Sequence, residues 1–207
     1  MMGVHMKGRW EGGEAAVKAI SDALTKWEEE RPKRARGYTL FYCPACTKLA
    51  ELSHSTYRRR GAPKCPRCGA EMARYDEGEF SRRRREAAEE ARRLLPEVLK
   101  ALAEAAEKYD ELGRPPEEWR FEDGVITVKP DILEPSAFEY DPARRLVHVV
   151  MFRFDQPEHR GILRAVARES TRLGLSVLAE IYPPHADKRL LPQGAKLGEN
   201  GMYVVKA

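Results

Sequence analysis

The chain has 207 residues, 34 % of them charged and 42 % apolar, and a net charge of +4 at pH 7. No apolar run reaches the roughly 18–20 residues that cross a bilayer, and residues 1–10 lack the long apolar stretch of a secretory leader. These features exclude a membrane-spanning helical protein and make a cytoplasmic one the expectation; with Gln156, Gln193 and Asn200 as the only side-chain amides, they also point to a thermophilic source.

An α+β fold in four segments is expected: an N-terminal helix with a basic linker (1–36), a cysteine-bearing unit (37–75), a long helical segment (76–114) and an α/β domain (115–207) carrying a mixed sheet. Residues 14–30 predict the first helix, because Ala16, Ile20, Ala23, Leu24 and Trp27 recur at helical spacing. It gives way at Arg31-Pro32, since proline disfavours helical geometry in the residue before it. Lys33, Arg34 and Arg36 then form a cationic linker, either solvated or gripping phosphate.

Cys43, Cys46, Cys65 and Cys68 read C-x2-C, a gap of eighteen residues, and C-x2-C. That spacing suits a four-thiolate zinc site, in which each two-residue turn grips one side of a tetrahedral ion. Pro44 and Pro66 follow the first cysteine of each pair, and Gly69 follows the second pair, where a tight turn favours glycine. Two disulfides or bound iron are the competing chemistries, and one structural zinc is the expectation. The Cys43-Pro44-Ala45-Cys46 and Cys65-Pro66-Arg67-Cys68-Gly69 knuckles resemble those of the zinc-ribbon superfamily over residues 37–75. The resemblance implies a small β unit held by its ion. Such units occur in proteins of transcription, translation and DNA processing, and some serve only as structural modules. Four protein ligands leave the ion no open position, so it is structural rather than catalytic.

Residues 31–74 carry eleven Lys/Arg against two Asp/Glu, a density that attracts polyanions. Residues 37–42 and 48–57 predict strands, with Tyr57, Arg58, Arg59 and Arg60 on a following turn, placed to grip phosphates and stack on a base or sugar. Lys64 and Arg67 add to the same end.

Residues 81–112 predict a long helix with a heptad seam at Ala88, Ala91, Leu95, Val98, Leu102, Ala105, Tyr109 and Leu112. Pro96 interrupts it, so a bend or two helices, 81–94 and 96–112, are expected. Arg82, Arg83, Arg84 and Arg85 would then occupy the first turn, where the helix dipole disfavours cations; a bound polyanion would reverse that cost, and pairing with Glu86, Glu89 and Glu90 is the alternative.

After Gly113-Arg114-Pro115-Pro116 the pattern becomes α/β: strands at 125–128, 137–140, 146–154, 175–182 and 202–205, and a helix at 158–173. The four arginines 160, 164, 168 and 172 form one stripe on that helix, available to phosphate or to the acidic 86–143 segment. The order helix, strand, Pro130-Asp131, hairpin, strand, helix, strand looks like that of restriction-endonuclease-like nucleases. Those enzymes hold Mg2+ with an Asp and an acidic-x-Lys pair. Here Val149-Val150-Met151-Phe152-Arg153 carries no such pair, and Asp131 alone cannot assemble a metal site; Glu134, Asp155 and Glu180 are the carboxylates that could join it. His148, His159 and His185 form no catalytic motif.

The leading expectation is thus a non-catalytic zinc-ribbon protein that grips DNA or RNA, alone or within a ribonucleoprotein, through clustered Arg and Lys. A protein-binding adaptor of a transcription, translation or DNA-processing machine and a degenerate metal-dependent nuclease are the alternatives.

Overall fold

The computed structural model describes residues 4–33, 35–110, 113–129, 138–151, 153–183, 188–198 and 201–206, with the Lys129 side chain excepted. Arg34, Leu112, Pro130, Asp131, Glu134, Ala137, Phe152 and His185 therefore lie outside the described residues. The fold is mixed α+β, with a large mixed sheet, a long helix and a small three-stranded sheet.

The large sheet begins with a strand the sequence reading did not anticipate, β1 (His5–Arg9). It pairs antiparallel with β5 (Glu118–Glu122), which pairs with β6 (Val125–Lys129), then β7 (Phe138–Asp141), then β8 (Leu146–Met151). β8 and β9 (Ser176–Ile181) are parallel, joined by the crossover helix α4 (Pro157–Arg172) that such a pair requires. β11 (Tyr203–Lys206) and β10 (Lys196–Leu197) complete the far edge.

Alternation decides which side of each strand is buried. Phe121, Ile126, Val128, Tyr140, Val147, Val149, Val177 and Ala179 join one apolar core with α1 (Gly13–Glu29), α3 (Glu77–Tyr109) and α4. The opposite face carries the cross-strand row Lys7, Arg120, Thr127, Glu139, His148, Leu178 and Lys206. The core thus draws on the first segment and the long helix as well as the α/β segment.

The α1 stripe is buried as its periodicity demands. α3 runs unbroken through Pro96, so the expected division into two helices does not occur. Pro96 sits on the exposed side, where water can reach the Arg92 carbonyl that proline leaves without an N–H partner. The heptad seam from Ala88 to Tyr109 is buried together with Leu94 and Leu99, because α3 packs at once on α1, α4 and the sheet. It offers no free coiled-coil face.

The small sheet has the order β3-β2-β4, from β2 (Tyr38–Tyr42), β3 (Leu49–Ser53) and β4 (Ala73–Arg74). A short helix, α2 (His54–Arg60), follows β3, where further strand and a turn were expected. Ser53 caps it, its hydroxyl accepting from the Thr56 amide at 3.2 Å. The Arg58–Arg60 run consequently sits at a helix C-terminus, where the dipole favours cations.

Candidate metal centre and cationic surface

Each cysteine pair sits on a turn with the same hydrogen bonds. The Cys43 amide donates to the Lys48 carbonyl (2.8 Å) and Thr47 N–H to the Cys43 carbonyl (2.9 Å). In the second turn Cys65 donates to Ala70 (2.7 Å) and Gly69 to Cys65 (2.8 Å). The fifth position of each turn is left-handed: Gly69 has φ 73° and Thr47 φ 57°. Glycine adopts this without strain; a β-branched threonine does not.

The four cysteines are free thiols whose sulfurs all lie within 4.8 Å of one another. The closest Sγ pairs are 43–68 at 3.4 Å, 46–65 at 3.5 Å and 46–68 at 3.8 Å. A tetrahedral ion with zinc–thiolate bonds sets its sulfurs about 3.8 Å apart. The cage therefore fits one such ion, and four cysteines arranged to hold a metal stand where the spacing placed them. Burial pushes the Cys46 thiol up, and neighbouring thiolates add to that. Burial raises Cys65 too, but the Cys68 and Arg67 amides aimed at its sulfur outweigh it and bring it below the ordinary thiol value. Four clustered sulfurs of this kind are compatible with full ionisation only around a cation.

The cage is docked on the rest of the molecule through both turns. Lys48, which follows the first, bonds the Asp123 carboxylate at 2.5 Å, and Arg67, inside the second, donates to the Asp123 carbonyl at 3.2 Å. Asp123 and Gly124 form the β5–β6 turn with φ 50° and 84°. Arg83 of α3 donates to the Pro44 carbonyl at 2.8 Å, and Tyr42 and Tyr75 pack edge-on and tilted against Phe80. The Asp-Gly turn and the basic knuckles were readable in the sequence; their convergence was not.

The cations expected to bind nucleic acid divide into two groups. Those of α3 are engaged by the protein itself. The helix starts at Glu77, capped by Asp76 and with Glu77 and Glu79 in its first turn, so Arg82 to Arg85 begin one turn further in and the dipole argument for a polyanion fails. Arg82 bonds Glu79 and Glu86, Arg83 bonds Glu79, and Arg85 lies 3.8 Å from Glu28. Arg84 is withdrawn from any surface: its side chain is 2 % exposed, sandwiched between the Trp27 and Phe80 rings, donating to the Trp27 carbonyl at 2.7 Å and 3.3 Å from Glu30. Burial lowers its pKa below the usual arginine value.

The cations of the small cysteine-bearing unit differ. Arg58, Arg59, Arg60 and Lys64 are exposed and make no ion pair among the described residues; Arg59 donates to the Ser55 carbonyl of its own helix. Arg74, which sequence reasoning missed, is also exposed, over the Tyr57 ring at 5.7 Å. Tyr57 itself packs edge-on against Phe41 and is half-buried against the core of the small unit. Lys33 and Arg36 are exposed in the linker. On α4, Arg172 pairs with Glu97 at 2.6 Å, the docking to the acidic segment that its stripe allowed, while Arg164 and Arg168 stay exposed.

The element order that carried the nuclease likeness is interrupted by β5, which stands between α3 and β6; β7, β8, α4 and β9 then follow β6. β8 supplies neither carboxylate nor lysine. On the open face Glu139 is bonded to His148 at 3.0 Å and Glu180 lies 3.8 Å from its other nitrogen. Among the described residues the four cysteines are the one cluster able to hold a metal. No helix among them is long and apolar enough to cross a membrane. No family model, curated protein or solved structure matches this chain.

Proposed function

We propose that the chain is a non-catalytic zinc-ribbon protein that binds DNA or RNA in the cytoplasm. Cys43, Cys46, Cys65 and Cys68 would hold one structural zinc, and the ribbon tip would contact phosphate. The observation that carries this reading is the contrast in pairing. Every arginine of the 82–85 run is matched to a carboxylate of the protein, whereas Arg58, Arg59, Arg60 and Lys64, with Arg74 beside them, have none among the described residues. Unpaired cations held on one small, metal-fixed unit repel one another until a polyanion neutralises them. Binding would be sequence-tolerant, because α2 is too short and too weakly apolar to seat as a recognition helix. The test is a salt titration of affinity for a nucleic acid duplex. Five phosphates neutralised give a slope of about −4.5 in log affinity against log salt, and replacing Arg58, Arg59 and Arg60 by Ala brings it to about −1.8. An unchanged slope removes the tip from the site.

A protein-binding adaptor is the second reading. It no longer draws on the heptad seam but on a groove of about 570 Å3 between α1 and α3, lined by apolar Trp10, Val17, Pro96 and Pro116 and by charges of both signs, Lys18 and Lys100 among the glutamates. Recovery of the same protein partner from nuclease-treated and untreated lysates would favour it.

A further inference from the structure

The aromatic side chains of the ribbon narrow the class of nucleic acid. A protein that holds a single strand lines its cations along a track and interleaves them with aromatic faces on which successive bases stack. This ribbon has the aromatic residues but has turned them inward. Phe41 is 0 % exposed and Tyr42 5 %, Tyr57 leans on Phe41, and Tyr75 leans on Phe80. Tyr57 and Tyr75 keep only part of their rings in solvent, and the exposed rings are Tyr38, 45 % exposed at the start of β2, and His54, whose amide donates to the Gly37 carbonyl beside it. A strand would find one short stacking patch there rather than a track.

The cations are not in a line either. Arg58, Arg59 and Arg60 are consecutive on a helix, so successive side chains leave the axis about 100° apart. Together they fan over more than half of the helix circumference at its C-terminal end. One strand presents its phosphates along one path. A double helix presents two rows of phosphates flanking a groove, which a fan of cations can bracket from between.

We infer that the ribbon tip engages the paired phosphate backbones of a double-stranded nucleic acid and not a single strand. This rests on the nucleic-acid reading above. The charge density of the duplex supplies the preference: five neutralised phosphates give slopes of about −4.5 on duplex and −3.5 on single strand, so between 1 M and 0.1 M salt the duplex gains about tenfold over the strand.

The experiment uses the zinc-loaded full chain and fluorescence anisotropy. The probes are a mixed-sequence duplex of about two helical turns, as DNA and as RNA, and each constituent strand alone. The expected result is a duplex bound about tenfold more tightly than either strand at 0.1 M salt. Tyr38→Ala should leave duplex affinity within about twofold, where a base-stacking role would cost it about tenfold. Arg58→Ala, Arg59→Ala and Arg60→Ala combined should cut the duplex preference from about tenfold to about two- to threefold while bound zinc stays at one per chain. Equal or tighter binding of the single strand, or its loss on Tyr38→Ala, overturns the inference and leaves the nucleic-acid reading standing. Absence of binding to every probe overturns both. A preference for the RNA or the DNA duplex supports the inference and names the source.

Discussion

The Lys48–Asp123 pair should behave as an energetic clamp between the cysteine-bearing unit and the large sheet. The two groups are 2.5 Å apart, with side-chain exposures of 29 % and 11 %. A hydrogen bond between charged groups contributes about 1.5–3 kcal/mol net. The two halves are unequal. Lys48→Met strands a carboxylate that has little access to water, at a cost of about 2–3 kcal/mol. Asp123→Asn leaves a lysine that can swing its ammonium into solvent and retains the residue type's tolerance of positive φ, at a cost of about 1–2 kcal/mol. The Arg67 bond survives both changes, since it ends on the Asp123 carbonyl. Urea unfolding of the two single variants and the double variant, followed by Trp27 fluorescence because its ring abuts Gly124, should give a coupling of about 1–2 kcal/mol. Additivity within about 0.3–0.5 kcal/mol, the behaviour of sites that do not interact, would refute the clamp.

Gly124→Ala should cost about 2–5 kcal/mol in the same assay, because the position has φ 84° and the added Cβ would collide with the Trp27 Cζ2 atom. Thr47→Gly should stabilise the zinc-loaded protein by about 1 kcal/mol, since it relieves a left-handed β-branched residue whose buried hydroxyl has no partner; a lower melting temperature would count against this. Burial raises the Asp141 pKa above its ordinary value of 3.8, so the folded state binds the proton more tightly than the unfolded one. Its contribution to stability is then greatest in acid and is lost as pH rises from the unfolded value through the raised folded one. Asp141→Asn should therefore gain on wild type as pH is raised through that window and hold a constant advantage above it; equal pH profiles by thermal melting would contradict this. Removing the metal with a chelator should free amide exchange across residues 37–75 while α3 keeps its protection, because the ribbon core consists of Phe41, Met72 and the cysteines themselves. Hydrogen exchange with mass spectrometry reads this directly.

The cysteine cage was legible because ligand spacing is a local, covalent property of the chain. The α1 stripe, β8 and β9 were legible because their apolar periods are long and clean. β1 was missed because a five-residue strand whose inward positions are only Met6 and Gly8, between His5, Lys7 and Arg9, carries no apolar run; it exists by pairing with β5, more than a hundred residues away. β5 did carry a signal, Trp119 and Phe121 alternating with Glu118, Arg120 and Glu122. The true start of α3 was also written in the chain, as Asp76 followed three residues later by Glu79. Reading that pattern would have moved Arg82 out of the first turn and exposed its pairing with Glu79 and Glu86. The burial of Arg84 could not have been read this way, since Trp27 and Glu30 reach it only through the packing of α1 on α3.

The pairing of β1 with β5 sets an order of events during synthesis. At about 5–20 residues per second the ribosome delivers β5 some 5–20 s after β1. For that interval the first strand has no partner and the Trp119 ring, against which Gly8 later closes, does not yet exist. His5, Lys7 and Arg9 keep the waiting strand from joining a neighbouring nascent chain, which is how charged residues guard exposed edges in finished sheets.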